Sequence, residues 1–365
     1  MTSVRVPEHI ASLQPYLPGK PIEEVERELG LKDSIKLASN ENPLGPSPLA
    51  LEAIREALPG IHRYPDGGGY YLREALARAC ALSIEQVMLG NGSTELVELF
   101  ARTFLGREGA GLMADQAFIM YRIAVTAVNG NAITVPLRGM RHDLPAMARR
   151  VTPDVRIIYI ANPNNPTGTC VTSQEMETFL AEIPDDVLVV VDEAYREYVT
   201  APDYPDCTAW LKRGRRIAIL RTFSKIYGLA GLRLGYALST PDVLGAAERV
   251  RSPFNTSSLA QAGGIAALRD TGHVARSRDH NGRELGFLQA GLIRIGVRFT
   301  PSVANFILVD TGRDGDIVFA EMMRSGVIVR PMRAYGMPSC LRVTVGLRPE
   351  NERLLETLAS ALSHR

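Results

Sequence analysis

The sequence predicts an α/β protein in which a large three-layer domain, built on a mainly parallel sheet, is joined to a smaller α+β domain. Short runs of β-branched and apolar residues alternate with longer segments of helical period. This alternation is typical of parallel strands that are linked by crossover helices. The runs are almost entirely apolar, as expected for strands that helices cover on both faces.

Four apolar runs define the expected sheet, and they read "QVMLGNG", "RIIYIANP", "DVLVVVDEA" and "RIAILRTFSK". Two segments of helical period, "STELVELFARTF" and "SQEMETFLAEI", lie between them. Each run is short enough for one strand, and each helical segment is long enough to return the chain to the same end of the sheet. We therefore expect these runs to be neighbouring parallel strands.

The spacing of the pattern changes from about residue 281, where short strand-like runs and helical segments follow each other closely. We place the large domain at residues 42–275 and the small domain at residues 1–41 and 276–365. The stretch before residue 42 is rich in proline and short on periodicity, so we expect it to run over the surface as an arm against the small domain.

Composition points to small-molecule partners in a cytosolic protein. Of 365 residues, 45% are hydrophobic and 22% are charged, which is the balance of an ordinary globular protein. Lys plus Arg (41) nearly equals Asp plus Glu (40), so no global field favours nucleic acid or a membrane surface. The four cysteines are far apart, the six histidines lack metal-ligand spacing, and no apolar run is long enough to span a bilayer. We therefore predict a cytoplasmic location, reduced thiols and no metal.

Polar residues follow all four apolar runs. They occupy residues 91–93, residues 162–168, Asp192 with Glu193, and residues 222–225. In open sheets of this kind ligands bind beyond the carboxyl ends of the strands. The sequence therefore predicts that these residues form a ligand site at one edge of the sheet.

Lys225 is the candidate nucleophile at that edge, because it ends an apolar run and precedes a glycine-rich turn in "TFSKIYGLAGLRLGY". A lysine amine acts as a nucleophile mainly toward carbonyl groups, with which it forms a Schiff base. If the carbonyl is the aldehyde of pyridoxal phosphate, the site also needs an anion cradle, a carboxylate for the pyridine nitrogen and donors to the phenolic oxygen. The alternative is an ordinary solvated lysine.

Each of these groups has a candidate at a strand end. Ser224 and Arg233 are suited to the phosphate, as is the start of a helix formed by Gly92, Ser93 and Thr94. Asp192 emerges from a buried strand and needs a cation or hydrogen bonds, while Asn165 and Tyr195 are suited to the phenolic oxygen. Two alternatives remain open, since "NPNNPTG" is also a turn sequence and Asp192 is also a helix-capping residue type. The agreement of four strand ends favours one cofactor site.

Four motifs, "NPNNPTG", "VVVDEAY", "TFSKIYGLAGLRLGY" and "LRVTVG", resemble those of the fold-type I aminotransferases that use pyridoxal phosphate. Within that family the chain is most similar to the histidinol-phosphate aminotransferases. Further support comes from "LASNENPLGPSP", "HRYPDGGGYYLREALA", "SVANFILV" and "GVIVRPM". The resemblance extends from about Pro15 to Pro349.

The resemblance implies a role for each matching residue. Lys225 would form the Schiff base, Asp192 would contact the pyridine nitrogen, and Asn165 and Tyr195 would bind the phenolic oxygen. The cofactor phosphate would be held by Gly92, Ser93, Thr94, Ser224 and Arg233, with Tyr64 reaching the site of a neighbouring subunit in a homodimer. Phe118 would stack on the ring, with Tyr121 as a second choice, and the substrate anions would be bound by Arg342, Arg330 and Tyr16.

The implied reaction is a transamination between an amino donor and a 2-oxo acid, with histidinol phosphate and 2-oxoglutarate as the expected pair. An aromatic-amino-acid aminotransferase would share every cofactor residue and differ only in its substrate pocket. A threonine-phosphate decarboxylase of the same fold would release carbon dioxide instead. A non-catalytic ligand sensor would carry a DNA-binding module before the domain, for which residues 1–39 are too short.

Overall fold

The computed structural model describes residues 4–15, 19–106 and 109–363. The strands in these ranges are β1 (Ile35–Lys36), β2 (Val87–Asn91), β3 (Ala110–Ala114), β4 (Asn131–Val135), β5 (Val155–Ala161), β6 (Leu188–Asp192), β7 (Ile217–Thr222), β8 (Leu234–Leu238), β9 (Arg298–Thr300), β10 (Phe306–Asp310), β11 (Val327–Ile328), β12 (Arg330–Pro331) and β13 (Cys340–Thr344).

The α-helices in the same ranges are α1 (Glu8–Ala11), α2 (Ile22–Leu29), α3 (Pro48–Ala57), α4 (Tyr70–Cys80), α5 (Gly92–Phe104), α6 (Met120–Ala127), α7 (Leu144–Arg149), α8 (Ser173–Glu182), α9 (Cys207–Lys212), α10 (Pro241–Glu248), α11 (Ser258–Arg269), α12 (Thr271–Arg294), α13 (Gly315–Arg324) and α14 (Arg348–Ser363). No helix within the described ranges is both long and apolar enough to cross a membrane.

The largest sheet has seven strands in the order β2-β8-β7-β6-β5-β3-β4. Its neighbours from β7 to β4 are parallel, while β8 is antiparallel to both β2 and β7. The predicted α/β fold with a mainly parallel sheet is therefore confirmed, and the four apolar runs are β2, β5, β6 and β7. Because β2 runs in the same direction as β7, all four carboxyl ends lie at one edge.

Helices cover both faces of this sheet. Ile158 and Ile160 of β5 pack in one apolar cluster with residues of α4, α8 and α11, whereas Ile157 and Tyr159 pack in a second cluster with residues of α5 and α6. Side chains alternate across a strand, so a strand buried on both faces must be apolar at every position. This requirement explains the uninterrupted apolar runs and produces three layers.

A second, four-stranded sheet lies in the C-terminal part of the chain, in the order β12-β13-β10-β9, and its strand pairs are antiparallel. Its apolar face packs on α12, α13 and α14 through a separate cluster that includes Leu288, Val318 and Leu354. β1 pairs with β11, which ties residues before position 42 to this C-terminal unit. The boundary that we expected near residue 275 falls inside α12, so the division at that residue stays a prediction.

Candidate active site

A cavity of about 180 Å³ lies at the carboxyl edge of the large sheet, next to the C-terminal sheet. It is enclosed by the ends of β5, β6 and β7, by the start of α5, and by strands β12 and β13. Most of the residues predicted from the sequence line it: Ser93, Thr94, Phe118, Tyr121, Asn165, Asp192, Tyr195, Ser224, Lys225, Arg233, Arg330 and Arg342. The strand-end argument therefore located one cavity correctly.

Among the described residues, two predicted ones, Gly92 and Tyr64, do not line this cavity. Gly92 lies one residue before the part of α5 that does. Tyr64 has 82% of its surface exposed and stacks on Phe254, with 4.7 Å between the ring centres. Tyr16 lies outside the described residues.

Lys225 follows β7 and is half-buried on the cavity wall. Its Nζ donates a hydrogen bond to the carbonyl oxygen of Ser39 at 3.0 Å and lies 5.7 Å from the centre of the Tyr195 ring. Burial, and then the positive charge of Arg342, lower the pKa of the Lys225 amine to about 7. A large fraction of this amine is therefore neutral, and nucleophilic, at neutral pH.

Asp192 is the last residue of β6, and only 6% of its surface is exposed. Its Oδ1 accepts a hydrogen bond from the backbone N–H of Ala194 at 3.1 Å. Burial raises the pKa of Asp192 to about 6, in spite of this hydrogen bond and of a second one from Tyr121. Because an opposite charge favours the ionised form, a cation in the cavity would restore the carboxylate. The site thus suits a protonated ring nitrogen.

An anion cradle lies at the start of α5. Arg233 Nη1 donates to Ser224 Oγ at 3.3 Å, and both side chains line the cavity with Ser93 and Thr94. Gly92 has a φ of 73°, and a Cβ atom added there would lie 2.4 Å from Arg233 Nη2. Glycine therefore leaves space for the guanidinium beside the first N–H groups of the helix. This combination of guanidinium, hydroxyl and helix N-terminus fits a phosphate group.

Two arginines are directly opposite each other on adjacent strands of the C-terminal sheet, because Arg330 of β12 pairs with Arg342 of β13. Arg342 is 7% exposed and donates to Asn165 Oδ1 at 2.5 Å and to the carbonyl oxygen of Ala38 at 2.7 Å. Within the described ranges, no carboxylate forms an ion pair with Arg342, so its charge is balanced only by neutral acceptors. A buried cation of this kind is suited to an anionic substrate group.

A family model described as aminotransferase class I and II matches residues 32–358. The chain belongs to this family.

Individual relatives match this aminotransferase over almost their whole length. Histidinol-phosphate aminotransferase of Anaeromyxobacter sp. (strain Fw109-5) is 50% identical over 359 residues, which cover 98% of this chain and 99% of that protein. The enzyme of the same description from Moorella thermoacetica is 48% identical and covers 98% and 92%. Histidinol-phosphate aminotransferase from Sinorhizobium meliloti, solved in complex with pyridoxal-5'-phosphate, superposes with a TM-score of 0.90 at 28% identity and covers 99% and 98%. The resemblance inferred from the motifs is confirmed.

Tyr121 has a place in this aminotransferase that the sequence did not suggest. Its ring is fully buried and stacks on Tyr159, with 4.9 Å between the ring centres and 4° between the planes. Its hydroxyl donates to Asp192 Oδ2 at 2.8 Å. Both Phe118 and Tyr121 lie on the cavity wall, so the choice between them as the ring that stacks on the cofactor stays a prediction. The pair "F..Y" in "AFIMY" was the available signal, but it does not say that the tyrosine contacts Asp192.

Residues 38–40 are a further part of the aminotransferase site that the analysis of strand ends missed. The carbonyl oxygen of Ala38 accepts from Arg342, that of Ser39 accepts from Lys225, and Asn40 Nδ2 donates to the Tyr195 hydroxyl at 2.9 Å. Three predicted site residues are thus each held by one of three consecutive residues. The motif "LASNENP" had pointed only to family membership.

Proposed function

We propose that the chain is a pyridoxal-phosphate-dependent aminotransferase that interconverts L-histidinol phosphate and 2-oxoglutarate with imidazole-acetol phosphate and L-glutamate. The observation that carries the proposal is a single cavity that holds the Lys225 amine, the Asp192 carboxylate and the Arg233–Ser224 anion cradle. The substrate is supported by near-full-length identity of 48–50% to proteins described as histidinol-phosphate aminotransferases.

Several residues would hold the cofactor. Ser93, Thr94, Ser224 and Arg233 would bind its phosphate, Asp192 would contact its ring nitrogen, and Phe118 would pack against its ring; the support is that all of them line one cavity. When bound, pyridoxal phosphate supplies an aldehyde that combines with amines and a ring that accepts electrons from the substrate. These assignments rest on the fit of the residues to the chemical groups of the cofactor.

The residues of the chain would move a proton and bind the substrate anion. Lys225 Nζ, with its lowered pKa, can accept a proton from the substrate carbon at neutral pH and return it. Asp192 would supply a fixed negative charge on the cavity wall, where its low exposure to solvent strengthens its effect. Arg342, with Arg330 opposite it, is suited to the phosphate of histidinol phosphate and to the carboxylates of glutamate.

We expect kcat/KM for L-histidinol phosphate to exceed that for L-phenylalanine by at least about 100-fold, with 2-oxoglutarate as the acceptor in both assays. A site with buried cations loses this much when the substrate lacks the group that pairs with them. L-Histidinol, which lacks only the phosphate, is the matched control and should also be a poor substrate. A preference for phenylalanine would favour an aromatic-amino-acid aminotransferase, and release of carbon dioxide from threonine phosphate would favour a decarboxylase.

The lowered pKa of Lys225 leads to a pH prediction for the cofactor-free enzyme. Only the neutral amine attacks an aldehyde, so the rate of reaction with pyridoxal should rise with pH around a midpoint near 7 rather than near the ordinary value of 10.5. Pyridoxal is preferable to pyridoxal phosphate, whose phosphate titrates in the same range at about pH 6. Stopped-flow absorbance measures the rate. In Arg342→Met the midpoint should move upward, because the charge of Arg342 lowers the pKa of the Lys225 amine. A midpoint near pH 10 in the wild-type enzyme would contradict the role of Lys225 as a neutral nucleophile.

We further propose that the protein acts as a cytoplasmic homodimer in which Tyr64 serves the neighbouring site. The proposal is supported by the exposure of Tyr64, which projects from the surface with Phe254, Tyr70 and Tyr71, all more than 40% exposed. Exposed aromatic side chains in a group of this kind are typical of contact surfaces. Sedimentation of a fully active monomer would contradict the homodimer.

A further inference from the structure

We propose that Asn40 is a positioning residue that determines the direction of the Tyr195 hydroxyl proton. The inference rests on the proposed function, because the acceptor of that proton is the phenolic oxygen of the bound cofactor. The Asn40 amide donates to the Tyr195 oxygen, and the single proton of Tyr195 is then left for a partner in the cavity. Asn40 also lines the cavity, but its amide is uncharged and acts here through Tyr195.

The contact between the two side chains is short and shielded from water. Asn40 Nδ2 lies 2.9 Å from the Tyr195 oxygen, and the two residues are 1% and 5% exposed. Tyr195 also packs edge-on against Phe306, with 5.0 Å between the ring centres. The Tyr195 ring is therefore held in place, and only the hydrogen of its hydroxyl group can still change direction.

Thr344 determines which end of the Asn40 amide faces Tyr195. The backbone N–H of Asn40 donates to Thr344 Oγ1 at 2.9 Å, so the hydroxyl accepts at that point. The only hydrogen of this hydroxyl is then donated to Asn40 Oδ1 at 3.2 Å. Since Oδ1 faces Thr344, the NH₂ end must face Tyr195. In the reverse orientation the hydroxyl could still accept from the NH₂ group, but its own buried hydrogen would lose the Asn40 Oδ1 acceptor.

The backbone of Asn40 has a conformation that suits asparagine. Its φ is 54°, in the left-handed region that asparagine adopts more readily than most other residues with a side chain. The carbonyl oxygen of Asn40 accepts from Asn305 Nδ2 at 3.0 Å. Thr344 at the end of β13 and Asn305 just before β10 therefore fix the segment, and the C-terminal sheet directs the amide toward a residue that follows β6.

The protonation state of Tyr195 is consistent with a hydroxyl that donates toward the cavity. Burial raises the pKa of Tyr195 to about 12, so the hydroxyl keeps its proton at neutral pH. A hydroxyl that accepts from Asn40 and retains its proton is a donor toward the cavity. A donor is what an ionised phenolic oxygen requires, because each hydrogen bond to the charged form favours that form.

The test is a pH titration of the visible absorbance of the bound cofactor, which reports the ionisation at its phenolic oxygen. Asn40→Gly keeps the left-handed backbone and removes the amide. We expect it to raise the pKa of this transition by about 0.5–1 unit, the shift that weakening of one hydrogen bond produces. In a Tyr195→Phe background the same substitution should cause no further shift, because the hydroxyl on which it acts is absent.

A matched pair of substitutions at position 344 tests the same hydrogen bonds without introducing a glycine. Thr344→Val keeps the shape of the side chain but loses the hydroxyl, and we expect it to raise the pKa in the same direction. Thr344→Ser keeps the hydroxyl and should retain the wild-type pKa.

The outcomes separate this inference from the proposed function. Wild-type protein that develops no visible band with pyridoxal phosphate would overturn the proposed function and the role of Asn40 with it. A normal wild-type band with an unshifted pKa in both Asn40→Gly and Thr344→Val would overturn only the role of Asn40. So would an equal shift in the Tyr195→Phe background, because the amide would then act on something other than Tyr195.

Discussion

Lys225→Ala is expected to lower kcat/KM for transamination by at least about 10³-fold, the scale on which a positioned general base contributes. In the proposed mechanism Lys225 is both the nucleophile that holds the cofactor and the base that moves the substrate proton, and among the described residues no second lysine lines the cavity. The visible absorbance of the bound cofactor should change at the same time, because the variant cannot form the covalent link. Steady-state kinetics and absorbance spectra of the purified variant measure the two effects.

The fold should survive this substitution. The pKa of Lys225 is lower in the folded protein than its ordinary value of 10.5, so between about pH 7 and 10.5 the unfolded chain binds a proton that the folded chain does not. The lysine therefore opposes folding in that window, and its opposition decreases as the pH rises. We expect cofactor-free Lys225→Ala to unfold at the wild-type temperature or above it. Lys212→Ala, an exposed lysine at the end of α9, is the control and should behave as wild type. Full activity in Lys225→Ala would remove this residue from the mechanism.

Asp192→Asn is expected to lower kcat/KM by about 10²–10³-fold, the usual effect of removing one preorganised electrostatic group from an active site. Asparagine keeps the shape of the side chain and can still accept from the N–H of Ala194. It cannot carry the negative charge that, in the proposed function, keeps the ring nitrogen of the cofactor protonated. The measurement is kcat/KM together with the dissociation constant of the cofactor.

Tyr121→Phe is a milder test of the same carboxylate, since it leaves Asp192 in place. It keeps the ring that stacks on Tyr159 and removes only the hydrogen bond to Asp192, so we expect about a tenfold decrease in kcat/KM. Because this hydrogen bond lowers the pKa of Asp192, its loss raises that pKa further above its ordinary value. The decrease should therefore be larger at lower pH, where more of the carboxyl group is protonated. Equal effects in Tyr121→Phe and Asp192→Asn at every pH would show that the charge is not what matters.

The large sheet shows how far local patterns can be interpreted. The runs that became β2, β5, β6 and β7 were recognisable because a strand buried on both faces must be apolar throughout. The reversed strand β8 (Leu234–Leu238) was not assigned, since it lies in the glycine-rich segment after Lys225 and was interpreted only as part of the cofactor motif. Its place between β2 and β7 depends on hydrogen bonds between strands that are distant in the chain, and periodicity carries no information about them.

By itself, the sequence determined the fold class, the edge of the sheet at which the cavity lies, and most of the predicted residues on the cavity wall. It could do so because burial imposes apolar periodicity on each strand and leaves the chemically active residues at the strand ends, so both signals are local. Only the tertiary structure decided that Tyr121 contacts Asp192, that Arg330 lies opposite Arg342, and that Asn40 joins Thr344 to Tyr195. These contacts join residues 71 to 304 positions apart or depend on strand register, and the packing of the whole chain sets them.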